Sequence, residues 1–190
     1  MRKTTPPRPV PGSSDSGSAW TSGRILVAAG LACGVVDGLW ATALTLVYGR
    51  SVGELFHGVA ATALGRTFEM GPGSVLLGVA IHFAVAFWWA AVFLALVLHY
   101  PRLRARLSKA TGVTVIAALY GPFIWVAMSV AVIPLRTGVP VSLSARWWIQ
   151  LIGHAMFVGV PIVGVVARTP SRSAHRRTTA APHEAYGGSK

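Results

Sequence analysis

The sequence predicts an all-α polytopic membrane protein, with four transmembrane helices and a short amphipathic helix between the first and second. Three observations predict it. The chain is 53% hydrophobic and only 12% charged, whereas a soluble domain carries about 25% charged residues. Four apolar runs reach the roughly 20 residues of helix that cross about 30 Å of hydrocarbon. The basic residues behind the net charge of +12 gather in tails and connections, outside those runs.

Residues 1–23 are rich in Pro, Ser, Gly, Thr and basic side chains and are expected to be a disordered tail. The first span is expected at about 25–48, and its apolar run is too long for a cleaved leader. Ser51 with Glu54 three residues on forms a capping box. Leu55, Phe56, Val59, Ala60, Ala63 and Leu64 follow at helical spacing, so an amphipathic helix is expected over 52–68, at the membrane surface or dipping into it. Gly71-Pro72-Gly73 breaks it. The remaining spans are expected at about 73–98, 110–133 and 147–167, giving a membrane domain over 24–168, and 169–190 is expected to be a disordered basic tail. Backbone groups in hydrocarbon must pair within their own segment, which makes every span a helix.

Charge sets the threading. Arg102, Arg104, Arg106 and Lys109 lie between the second and third spans without an acid, and both tails are basic. With four spans these segments share one side, so both termini are expected in the cytoplasm of a multi-pass protein of the cell membrane, as in a bacterial inner membrane. The same four side chains are suited to anionic lipid headgroups. Basic residues placed in this way argue against nucleic acid as a partner. The single cysteine, Cys33, cannot form an internal disulfide.

Asp37, His82 and His154 stand inside predicted spans. At 1.5 Å per residue they rise about 20 to 26 Å from the basic side, so they are expected to share a layer. Gly30, Gly34, Asp37 and Gly38 fall on one face of the first span, and Gln150, Gly153 and His154 on one face of the last. Small and polar residues mark the packed side of a membrane helix, which places Asp37, His82, His154 and Gln150 in the bundle interior. Buried ionisable groups in a membrane serve as proton or ion sites. A carboxylate hydrogen-bonded to a histidine serves equally as a structural clasp. His82, His154 and Asp37, with Glu54 and His57 from the amphipathic helix, form a scattered set of metal-ligand types. No tight motif joins them, so neither metal nor cofactor is expected.

Ala80-Ile81-His82-Phe83, Tyr100-Pro101, Pro134-Leu135 and Gly153-His154 together resemble small uncharacterised bacterial inner-membrane proteins of the YagU type, over roughly residues 78–160. Those proteins carry a Glu four residues before the second histidine, where this chain has Gln150. The resemblance implies a multi-span membrane protein, points at His82 and His154, and implies no activity. The leading functional expectation is a small membrane protein with a buried Asp/His cluster that responds to a proton or ion. A structural or accessory subunit is the second, packing against a protein partner or a further copy through the Gly30/Gly34/Gly38 face. A metal-dependent membrane enzyme is the third; no nucleophile–base motif argues for an enzyme.

Overall fold

A computed structural model of the chain describes residues 16–65 and 71–168, with side chains from Ser22 onward. The described residues form helices joined by short connections, with no strand among them, and contain four helices long and apolar enough to cross a membrane: Ser22–Val47, Ser74–His99, Ala110–Thr137 and Ala145–Ala167. They are the mark of a multi-pass membrane protein. Leu39, Leu76, Leu119 and Ile152, one on each, are 66%, 74%, 67% and 68% exposed. Apolar surface turned outward from every rod of the bundle fits lipid as the surrounding solvent.

Helix α1 spans Ser16–Val47, so the stretch expected as a tail over 1–23 is already helical from Ser16. Residues 1–15 and the expected tail at 169–190 lie outside the described residues. Gly49 ends α1 at φ +69°, where a residue without Cβ is strongly favoured. The Arg50 amide donates back to the Thr45 carbonyl at 3.1 Å, closing the last turn.

The capping box is formed. Ser51 Oγ accepts from the Glu54 amide at 3.2 Å, and Glu54 Oε2 accepts from the Ser51 amide at 3.0 Å. Helix α2 runs from Val52 to Leu64 and stops there, short of the expected Phe68, because Gly65 turns out of the helix at φ +110°. The Ser51 backbone N–H first, and then the Arg50 side chain, hold the Glu54 carboxyl below its ordinary range. A carboxyl depressed in the folded state adds stability above its unfolded pKa and loses it as pH falls through the folded value. Fraying of α2 in acid, followed by amide exchange, is the expected result. Ser51→Ala is expected to cost about 1 kcal/mol of helix stability, and Glu54→Gln to flatten that acid dependence.

Helix α3 (Ser74–His99) follows, then a short unanticipated helix α4 (Pro101–Leu107). Proline at its first position lacks only a donor that no carbonyl there needs. Leu107 is buried and Leu103 packs beside it, while Arg102, Arg104 and Arg106 stay exposed. The third rod consists of α5 (Ala110–Val126), a π-helical segment (Ala127–Val132) and α6 (Ile133–Thr137). The fourth consists of α7 (Ala145–His154), a π-helical segment (Ala155–Gly159) and α8 (Val160–Ala167). Each π segment ends just before a proline, Pro134 or Pro161. A widened turn accommodates the missing N–H and the ring of the proline that follows.

Close approaches at glycines fix the packing. A Cβ at Gly30 would sit 2.3 Å from the Phe87 ring, one at Gly34 2.6 Å from Phe83, and one at Gly38 3.3 Å from His82 Nε2. The Gly30/Gly34/Gly38 face is therefore filled by α3 of the same chain. Helix α2 presses its Phe56 backbone against Gly78 of α3. Its other end reaches α6, where Arg136 donates to the Ala63 carbonyl. Helix α2 thus packs into the bundle rather than lying flat on the surface.

Candidate functional site

The site lies where α1, α3 and α7 meet. Asp37 is half-buried on α1, within electrostatic reach of both His154 and His82. His82 enters from α3 beside Gly34 and Gly38, the residues that bracket Asp37 on α1. The layer expected from depth counting brings these three side chains together.

The expected Asp–His clasp is not made. His82 Nε2 donates to the Gly34 carbonyl at 2.9 Å, and His154 Nδ1 to the Gln150 carbonyl at 2.7 Å. Asp37 accepts no hydrogen bond and makes no ion pair with any described residue; the ion pair that is present, Arg50 with Glu54, is exposed. A carbonyl oxygen only accepts, so these bonds fix the tautomers. His82 carries its hydrogen on Nε2 and His154 on Nδ1. In the neutral rings, His82 Nδ1 and His154 Nε2 each keep a lone pair.

Aromatic rings wall the cluster. The Trp125 ring tilts over His154 at 4.8 Å, and Phe56 and Phe83 stand edge-on to His82 at 6.1 and 5.7 Å. Trp40, which the sequence did not single out, stacks on Phe157 at 4.6 Å and donates to Gln150 Oε1 at 2.9 Å. Gly153 makes room for that indole, since a Cβ there would lie 2.5 Å from Trp40 Nε1. Gln150 thus has two tasks: its side chain holds Trp40 and its carbonyl holds His154.

Glu54 and His57 do not complete a metal site. Glu54 is committed to the helix cap and Arg50, and His57 lies one turn further along α2. Among the described residues, no three His, Cys, Asp or Glu side chains are grouped as metal ligands, which removes the geometric basis for the scattered metal set.

No family model, curated protein or solved structure is found to match the chain.

Proposed function

We propose that this chain is a small integral membrane protein whose Asp37/His82/His154 cluster binds and releases a proton. One observation carries the reading. A carboxylate within a membrane-spanning helix has no hydrogen-bond donor among the described residues, while both neighbouring histidines spend their N–H on backbone carbonyls. Three groups that can accept a proton therefore meet with no donor set between them. A polar clasp would have joined acid to imidazole directly. Burial of an unpaired carboxylate is expensive, and a shared proton relieves it. The YagU-type resemblance draws on the same two histidines.

The basic end fits an anionic leaflet. Arg102, Arg104, Arg106 and Lys109 are exposed at the α4 end of the bundle, so that end faces the cytoplasm with both termini and meets lipid headgroups there.

Infrared titration of the purified protein tests the proton reading. A carboxylic-acid band that appears and disappears with pH, and is lost in Asp37→Asn, is the expected result. The imidazole nitrogen resonances of His154 should also change in that variant. A spectrum without any band removed by Asp37→Asn would rule the reading out.

A further inference from the structure

The buried polar side chains gather toward one end of the bundle, and most of the buried apolar ones toward the other. Successive rods run in opposite directions, so one end carries α2, α6 and the start of α7, and the other carries α4. The main core runs from Ala29 and Cys33 on α1 through Phe93 and Tyr120 to Ile162 and Val166, mostly in the α4-side half of each rod, with Ala86 and Ile124 just past mid-rod and Leu44 buried apart from it nearer the α2 end. The buried polar residues Thr45, Ser74, Ser129 and His154 all lie in the α2-side halves.

Within the polar half, α1 and α7 are joined by rungs. Arg146 donates to Thr45 Oγ1 at 3.4 Å at the α2 end, and its guanidinium lies 5.2 Å from the centre of the Tyr48 ring. Trp40 donates to Gln150 on the next rung, and Asp37 meets His154 electrostatically on the third. Arg146, Gln150 and His154 recur every fourth residue, which keeps them on one face of the helix. On the far side of Asp37 the seam stops. The next turn of α1 places Cys33, 3% exposed, within the apolar core.

We propose that the cluster exchanges its proton only with the aqueous phase at the α2 end, along the α1–α7 seam, with the α4-side core acting as a dry plug. The protein is then a one-sided proton-binding device and not a conduit. This rests on the proton-binding reading above. The titratable groups around Asp37 are Cys33 on its own helix, His82 from α3 and His154 from α7, with Tyr120 of α5 in turn near Cys33. From α2 come Glu54, engaged in its cap, and His57; Arg146 is the cation at the mouth of the seam. Helix α8 and the π segment before it contain no titratable side chain.

The full chain in sealed vesicles tests this with a membrane-impermeant maleimide. Ser108→Cys and Ser142→Cys mark the α4 and α2 ends, and their labelling in intact cells fixes which end is cytoplasmic. In a Cys33→Ala background, Ala41→Cys, on the seam one turn beyond Asp37, should label from the α2 end alone. Native Cys33 should label from neither end. Vesicles holding the protein should keep an imposed pH gradient as long as empty ones do. Labelling of Cys33 or Ala41→Cys from the α4 end, no labelling of Ala41→Cys at all, or faster decay of the gradient would each overturn the proposal. Absence of an Asp37-dependent infrared band instead removes the proton reading itself, whatever the labelling pattern.

Discussion

Replacing Gly121 by alanine is expected to destabilise the bundle strongly, by forcing two of its rods apart. Helix α5 meets the fourth rod backbone to backbone at this point. A Cβ on Gly121 would lie 1.9 Å from the His154 carbonyl oxygen and 2.5 Å from its carbon, where ordinary contact begins at 3.4 Å. The obstacle is main chain, so no rotamer change relieves it, and the two helices must separate by more than an ångström. Gly159 repeats the arrangement, since a Cβ there would lie 2.1 Å from the Ala117 carbonyl oxygen. Overpacking of this kind costs about 1–3 kcal/mol, and here the upper end applies because the clash involves a fixed carbonyl. The shift also carries His154 away from Trp125 and Asp37. Gly164→Ala is the control on the facing fourth rod, with nothing within 4 Å of its added methyl. Glycine in a helix interior is itself unfavourable by about 0.5–1 kcal/mol relative to alanine, so the control should be neutral or stabilising. Reversible unfolding in mixed micelles separates the two. Equal stability of the two variants would mean that the helices do not approach at Gly121.

The fold was legible because the bilayer allows few solutions. Length and apolarity select helices, and no propensity argument is needed beyond them. The capping box was readable for a related reason: Ser51 and Glu54 act through bonds entirely local in sequence. The layer of Asp37, His82 and His154 was readable through helical rise, which converts sequence position into depth. The direction of each hydrogen bond was not readable. Asp37 beside two histidines suggests a clasp, yet each imidazole found a backbone carbonyl nearer, His154 within its own helix. The role of the α1 glycines also changed. Their spacing showed that something packs closely there, while only the fold shows that Phe83, Phe87 and His82 of the same chain do so. Ala117 and Gly121 carried a comparable small-residue signal, four apart, and it went unread beside the longer glycine stripe. The π segments have no propensity signature; the prolines just after them are the one local cue.

Trp40 carries the second large expected effect, and two substitutions divide its contributions. Trp40→Ala removes an indole stacked on Phe157 with an interplanar angle of 18°, and leaves a void between α1 and the fourth rod. Loss of a fully buried large aromatic costs about 3–5 kcal/mol, and the half-buried Trp40 is expected at the lower end of that range. Trp40→Phe keeps an aromatic surface for the stack and removes only the N–H that binds Gln150 Oε1. A single hydrogen bond between membrane helices contributes about 0.6 kcal/mol on average and about 1.7 kcal/mol at most, so this variant should remain folded with a small loss of stability. Its larger consequence is local. The Gln150 amide, released from Trp40, no longer spans the middle rung of the α1–α7 seam, while the Gln150 carbonyl still holds His154. Maleimide labelling of Ala41→Cys from the α2 end should therefore quicken in the Trp40→Phe background, with Cys33 unlabelled as before. A purely structural indole would lower stability in both variants and leave the labelling rate of Trp40→Phe where it began. Gly153→Ala approaches the same rung from the other helix, because its methyl would displace the indole nitrogen, and it should quicken labelling in the same way. Agreement between two substitutions on opposite helices would locate the restriction at the Trp40–Gln150 bond itself.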